Sequence, residues 1–236
     1  MALRDEIATP ERKRAYVRAL FGTIADRYDL ITRLLSYGRD QRWKARVLDI
    51  ASPGPTTRVL DLATGTGDLA FAAATRTPHV VGLDITPGMI TLARKRQAAD
   101  SPPRFLVGDM CALPFPNASF DLVLTGYGLR NVPDLPGAID EMARVLVADG
   151  VAVSLDFDRP SHPMTRAAYL AYLHGVGGLL GWALHGDPDT YRYIPASIRR
   201  YPGAAALTQM MEARGFRTVR HFRVLGGLMA IHRAVR

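Results

Sequence analysis

The stretch Val59-Leu60-Asp61-Leu62-Ala63-Thr64-Gly65-Thr66-Gly67-Asp68 decides the fold. A short apolar run ends in a turn with two glycines, and a helix follows from about Asp68 to Ala74. Strand, tight glycine turn and helix in that order make the first half of a βαβ unit. Glycine at such a turn lets backbone approach a ligand that a Cβ would hold off.

Outward from this turn the alternation continues. Arg58–Leu62, His79–Ile85, Arg104–Val107, Phe120–Thr125 and Val151–Phe157 read as strands. Pro87 opens a helix through Arg96, and Asp134–Leu146 is helical. Strands alternating with helices at this spacing predict a parallel sheet. Uninterrupted apolar runs such as Leu122-Val123-Leu124 predict a sheet covered on both faces. Ala204–Ala213 is a helix closed by Gly215. Thr218–Val224 and Leu228–His232, around Gly226-Gly227, predict an antiparallel hairpin.

Upstream, Pro10-Glu11 is a helix start, and Tyr16, Val17, Leu20, Phe21 and Ile24 keep helical spacing. Further helices are expected through Leu30–Leu35 and Trp43–Ile50, until Ser52-Pro53-Gly54-Pro55 breaks the chain. From Ser161 to Pro195 the rhythm stops, which predicts a helical insertion after the fifth strand. The expected organisation is one domain over residues 1–236. It has a helical cap at 1–52, a ligand-binding core at 57–157, the insertion at 161–200, and a last helix and hairpin at 203–236. The fold class is α/β, Rossmann-like, with a mostly parallel seven-stranded sheet and helices on both faces.

The 236 residues are 48% apolar and 22% charged, which excludes a disordered or collagen-like chain. A single cysteine, Cys111, excludes a disulfide framework and any cysteine cage for zinc or iron–sulfur, and no metal site is expected. Thirty basic against 22 acidic residues leave a net charge of +8. Only Lys13, Lys44 and Lys95 are lysines. The arginines are scattered and no nucleic-acid-binding motif accompanies them, so no nucleic-acid partner is expected. Met1–Pro10 has two acids and no apolar run, unlike a secretory or transit segment, so a cytoplasmic location is expected. The nearly uncharged stretch Ala167–His185, with Gly175, Gly177, Gly178 and Gly181, reads as too short and too glycine-rich for a membrane span.

Three carboxylates end successive strands. Asp84 follows Gly67 by 17 residues and can accept from both hydroxyls of a ribose. The spacing Gly65-x-Gly67-x-x-Ala70 also fits a dinucleotide fingerprint. Two details favour S-adenosylmethionine over NAD. Asp61 beside the loop suits an ammonium better than a pyrophosphate. Gly108-Asp109-Met110 ends the third strand, where Asp109 can bond an adenine amine and Met110 can pack on its ring.

Beyond that loop, the chain resembles the quinone-biosynthesis C-methyltransferases of the class I, S-adenosylmethionine-dependent fold. The resemblance covers nearly all of it. It rests on Phe21-x-x-Ile24-Ala25-x-x-Tyr28-Asp29, Leu35-Ser36-x-Gly38 with Trp43, the loop Asp61–Asp68, Leu113-Pro114-Phe115 and Phe120-Asp121. Its most specific parts are Gly128-Leu129-Arg130-Asn131-Val132 and Tyr191-Arg192-Tyr193-Ile194 with Ser197-Ile198 and Pro202. Departures are Gly126 for a frequent serine, Thr32 for asparagine, Asp156 for glutamate, Ala148-Asp149-Gly150 for Pro-Gly-Gly, and Leu225 for threonine.

The resemblance implies methylation of a prenylated quinol, demethylmenaquinol or a ubiquinol precursor, with S-adenosylmethionine as donor. It implies cofactor contacts from Asp61, Gly65, Thr66, Gly67, Asp84, Ile85, Met89, Asp109, Met110 and Gly126. Arg130 is expected to stabilise a phenolate, with an ion pair to Asp134 as the ordinary structural alternative. Asn131 is expected to orient the quinol or the cofactor, Tyr127 to wall the pocket, and Tyr191, Tyr193 and Asp156 to meet the substrate. The glycine-rich stretch Leu170–Leu184 is expected to be a mobile apolar flap for the prenyl tail or a dimer helix, with a membrane surface or a second copy as partner.

Overall fold

The computed structural model describes residues 7–28, 31–32, 38–99, 101–160 and 162–236. Asp29, Leu35 and Ser36 of the amino-terminal pattern lie outside them, as does most of the helix expected over Leu30–Leu35.

The strands are β1 (Val59–Leu62), β2 (Val80–Asp84), β3 (Arg104–Val107), β4 (Phe120–Gly126), β5 (Leu146–Phe157), β6 (Arg217–Val224) and β7 (Met229–Val235). They form one sheet in the order β3-β2-β1-β4-β5-β7-β6. The first five are parallel, and β7 runs antiparallel between β5 and β6. The expected carboxy-terminal hairpin is present, with β5 beginning five residues earlier than the apolar run suggested.

Alternation along the strands sends side chains to opposite faces. Leu60, Leu62 and Val123 pack with Ile139 and Met142 of α5 (Leu135–Val145) and Leu207 and Met211 of α8 (Ala204–Glu212). Val59, Leu122, Leu124 and Val153 pack with Val47 and Leu48 of α2 (Asp40–Ala51), Leu69 of α3 (Asp68–Ala74) and Ile90 of α4 (Pro87–Arg96). This two-sided core explains the uninterrupted apolar strands. Strand order reverses between β1 and β4, so a crevice opens beyond their carboxyl ends. Gly67 caps α3 there at φ +92°, where a Cβ would lie 2.8 Å from Phe105 and 2.9 Å from Phe71.

Three helices roof the crevice: α1 (Pro10–Ile24), α6 (Pro163–His185) and α7 (Asp189–Arg200). Helix α6 differs from expectation. It is one unbroken helix of 23 residues, about 35 Å at ~1.5 Å per residue. Its length and composition suffice to cross a membrane, although no membrane is present. Three of its four glycines are packing sites against α7 or the turn before it, and Gly175 faces open space. A Cβ on Gly177 would meet the Tyr191 carbonyl at 3.0 Å, and one on Gly181 would meet the Asp187 carbonyl at 2.5 Å.

Candidate active site

Two cavities meet beyond the carboxyl ends of β1, β2 and β4. The first is lined by Gly65, Asp84, Ile85, Met89, Asp109, Met110, Gly126 and Asn131, so it gathers most of the expected cofactor residues. Its roof is Arg14, Val17 and Phe21 of α1. Asp84 accepts from the Gly65 amide (2.9 Å) through one oxygen and from the Thr86 amide (2.8 Å) through the other. These bonds tie the loop after β1 and the start of α4 to Asp84 beside the cavity. A carboxylate has about four lone-pair positions, so acceptor capacity remains. Burial raises its pKa against those two bonds. Asp109 accepts from the Cys111 amide and pairs with Arg14 at 3.0 Å.

A small side chamber continues from this cavity past Ala63, Gly126 and Tyr127 to Asp61, Thr66 and Lys44. Asp61 Oδ2 accepts from the Thr64 hydroxyl at 2.6 Å. Its Oδ1 is buried and makes no well-formed hydrogen bond, although the Ala70 amide helps favour the carboxylate charge. Burial pushes the Asp61 pKa up to about 7, against the Thr64 bond and the Lys44 charge. Lys44 bridges Asp40 (2.6 Å) and Asp68 (2.8 Å). Burial works against its charge, but the two carboxylates outweigh it and raise its pKa. An orphaned carboxylate oxygen beside a fixed ammonium suits the zwitterionic end of an amino acid. The residues present therefore fit the amino-acid portion of S-adenosylmethionine. Gly67 lines none of these chambers; it shapes the loop from beneath.

The second cavity is apolar. Leu20, Ile24, Ile31, Trp43, Leu173 and Met229 are among its walls, and Arg130 is its one charged group among the described residues. Tyr28 and Tyr127 line both cavities and form the partition. Tyr127 sits at φ +62°, a strained backbone for a bulky residue. Its hydroxyl donates to Asp40 at 2.8 Å, while its carbonyl accepts from Arg130 Nη1 (3.0 Å) and Asn131 Nδ2 (2.8 Å).

Arg130 is 7% exposed and pairs with Asp156 at 2.9 Å, not with Asp134. Asp134 instead caps α5 by accepting from the Gly137 amide. Asp156 also accepts from the Arg130 and Phe157 amides, so both its oxygens face protein donors. It stands behind the guanidinium and does not line the cavity. The Phe157 ring lies 4.7 Å below the guanidinium carbon. Burial disfavours the Arg130 charge, but Asp156 more than restores it. Arg130 Nε and the Tyr193 hydroxyl are both buried without a protein partner. Tyr191 also lines the cavity, with its hydroxyl bonded to His185 at 2.8 Å.

Residue-by-residue reading of the sequence missed Lys13, Arg14, Asp40 and Lys44. The signal available was compositional: of the three lysines of this arginine-rich chain, Lys44 is buried and Lys13 half-buried against the site.

A model of the ubiE/COQ5 methyltransferase family matches residues 9–236. A demethylmenaquinone methyltransferase of Thermus thermophilus is 43% identical over 216 residues, covering 90% of this chain and 98% of that protein. A ubiquinone/menaquinone biosynthesis C-methyltransferase UbiE of Citrifermentans bemidjiense is 39% identical over 223 residues, covering 92% and 94%. Among solved structures, a possible histamine N-methyltransferase from Thermotoga maritima, described as SAM-dependent, aligns with a TM-score of 0.67 at 18% identity. It covers 93% of this chain and 99% of that one, and speaks to the fold alone.

Proposed function

The chain belongs to the ubiE/COQ5 methyltransferase family, and from that premise we propose that it methylates a ring carbon of a prenylated quinol, demethylmenaquinol, with S-adenosylmethionine as donor. One observation carries this reading. Two buried donors, Arg130 Nε and the Tyr193 hydroxyl, lack protein partners in residues that line an otherwise apolar cavity. A buried polar group without a partner is costly, so a ligand oxygen is the natural complement. A fused aromatic ring with a hydroxyl and a hydrocarbon tail offers that oxygen and matches the apolar walls.

When bound, the cofactor supplies an electrophilic methyl group. The protein supplies position and charge. A phenol in water ionises near pH ~10. The Arg130 guanidinium is permanently charged and favours the phenolate, whose negative charge activates the neighbouring ring carbon. Asp156 and Phe157 hold the guanidinium in place. Tyr28 and Tyr127 line both cavities, so they stand where donor and acceptor would meet. The apolar walls exclude water, which strengthens the Arg130 interaction.

The test is methyl transfer from labelled S-adenosylmethionine to reduced naphthoquinol and benzoquinol acceptors side by side. The naphthoquinol should be preferred. Tyr193→Phe should lower kcat about 10–100-fold, the worth of a hydrogen bond to a charged oxygen. It should leave cofactor affinity unchanged, since Tyr193 does not line the cofactor cavity. A benzoquinol preference would reassign the acceptor, and an inert pair of acceptors would end the reading.

The partner surface of this reading is α6. Met164, Tyr172, Leu179 and Trp182 are exposed large apolar residues on it, and Trp182 is 66% exposed. Only 22% of its most apolar window is buried. Tyr172 also lines the substrate cavity, so the cavity reaches this face. Arg166 lies in the first turn of the helix and Arg159 four residues before it, and the chain carries +8. We assign the face to an anionic bilayer at the cytoplasmic side, from which a prenyl tail reaches the cavity. Leu179→Glu with Trp182→Glu should weaken binding to phosphatidylglycerol vesicles by about tenfold or more. Turnover of a short-chain, water-soluble quinol should persist. Unchanged vesicle binding, or a loss of dimers by sedimentation in its place, would reassign the face to another partner or to a second copy.

A further inference from the structure

Consecutive residues of α1 reach two parts of the site. Arg14 pairs with Asp109 at the cofactor cavity. Lys13 turns to the loop after β4, where its Nζ donates to the Arg130 carbonyl at 3.1 Å and to the Val132 carbonyl at 2.6 Å. These carbonyls flank the end of the short 3-10 turn Leu129–Asn131, which carries the guanidinium. Carbonyls at a helical terminus need donors, and an ammonium is among the strongest.

The charges around this turn are uneven. Arg130 is compensated by Asp156 at 2.9 Å. Lys13 bonds two carbonyls and, among the described residues, pairs with no carboxylate of its own. The groups that act on it are Arg200 of α7, Arg130 of the turn, Asp156 of β5 and Cys111 of the loop after β3. Arg200 and Arg130 repel its charge, and Asp156 favours it. Burial first, then those two guanidinium groups, lowers its pKa to about 8. Counting Arg130, Asp156 and Lys13, the turn carries one surplus positive charge, which a phenolate in the adjoining cavity would balance.

We propose that Lys13 is a positioning residue for methyl transfer: its ammonium clamps the Arg130 and Val132 carbonyls, fixes the turn that aims the guanidinium, and keeps that turn net positive until the acceptor oxygen ionises. The inference rests on the reading of Arg130 as the group facing the acceptor oxygen. It also makes α1 part of the machinery, since the same helix roofs the cofactor cavity.

The test uses the full chain with Lys13→Met and Lys13→Arg. Lys13→Met should lower kcat about 10–100-fold, the scale of losing alignment at a distance from the reacting atoms. Substrate KM and cofactor affinity should stay within about threefold. The pH dependence gives a readout that packing alone would not move. Wild-type kcat should fall away above about pH 8 relative to Lys13→Arg, whose guanidinium stays charged. A wild-type to Lys13→Arg ratio constant from pH 7 to above 9 would overturn the electrostatic part. Amide hydrogen exchange of Leu129–Val132 reads the clamp without any activity. It should quicken about tenfold or more in Lys13→Met, and unchanged protection would overturn the clamp. A wild-type protein inactive on quinols, with exchange still quickened in Lys13→Met, would fail the acceptor reading while leaving the clamp standing.

Discussion

Replacing Arg130 by methionine is expected to lower kcat by about 10²–10³-fold, the cost of removing a preorganised donor from a developing oxyanion. Cofactor affinity should hold within about threefold, because Arg130 does not line the cofactor cavity. The same change should destabilise the fold by about 3–5 kcal/mol, since Asp156 is left buried without its cation. Asp156 would retain only the Phe157 amide and the amide of residue 130 as donors. The two losses are separable. Pairing Arg130→Met with Asp156→Leu removes the stranded carboxylate, and replacing both members of a buried ion pair by apolar residues is often neutral or better. Thermal stability should recover in the double variant and the rate should not. Lysine at 130 tests the fork. A lysine is shorter and gathers its donors on one nitrogen, so it does not reproduce the spread from Nη1, which serves Asp156 and the Tyr127 carbonyl, to Nε; Arg130→Lys should resemble methionine in rate and fall between in stability. Near-normal turnover in Arg130→Lys would show that charge alone suffices, and recovery of rate in the double variant would remove Arg130 from the chemistry.

The parts of this site that could be read from sequence are those with local causes. Asp61, Gly65 and Gly67 belong to one strand–glycine–helix unit whose pattern dictates its geometry, and by the same alternation Asp84 ends β2 and Asp109 follows β3 by two residues. Arg130 and Asn131 could be picked out by their motif. Their surroundings could not, because these are joined across the chain: Lys13 to Arg130 over 117 positions and Asp40 to Tyr127 over 87. No spacing rule reaches that far. The partner of Arg130 shows the same limit. Asp134 is four positions away and looked natural, but Asp134 is used as a helix cap, and Asp156 arrives from the neighbouring strand β5. Helix α6 fails for a different reason. Its glycines lower helix propensity and suggest a flap, yet Gly177, Gly178 and Gly181 permit the close approach of α7 and the turn before it, and tertiary packing overrides the local preference. What does survive at sequence level is the scarcity of lysine. Where arginine is the ordinary cation, a lysine marks a place for a compact ammonium, and both Lys13 and Lys44 occupy such places.

Cofactor affinity is expected to be greatest between about pH 7 and pH 8 and to fall on both sides, with the acid limb belonging to Asp61. Asp61 holds its proton up to about pH 7, chiefly because burial disfavours its charge. In the free protein this has a definite sign. Below the unfolded value near ~4 both states are protonated and the group contributes nothing. Between there and about pH 7 the unfolded chain has ionised while the folded one has not, so stability falls as pH rises through that window. An ammonium placed against the unpartnered Oδ1 reverses the preference, because it lowers the Asp61 pKa in the complex. Binding below pH 7 must then release a proton, and affinity should drop about tenfold per pH unit there. On the alkaline side the amino group of the ligand titrates near ~8 and the ammonium is lost. Asp61→Asn keeps the shape and should weaken binding about 30-fold or more, the worth of a buried charged hydrogen bond. It should also erase the acid limb and leave the alkaline one. Calorimetry in two buffers of different ionisation heat counts the protons directly: close to one released per cofactor bound near pH 6 in the wild type, and none through this position in Asp61→Asn. An acid limb that survives the substitution, or a wild-type affinity flat from pH 5.5 to 7.5, would mean that the β1 carboxylate does not receive the ammonium and that the amino-acid end of the cofactor lies elsewhere in the crevice.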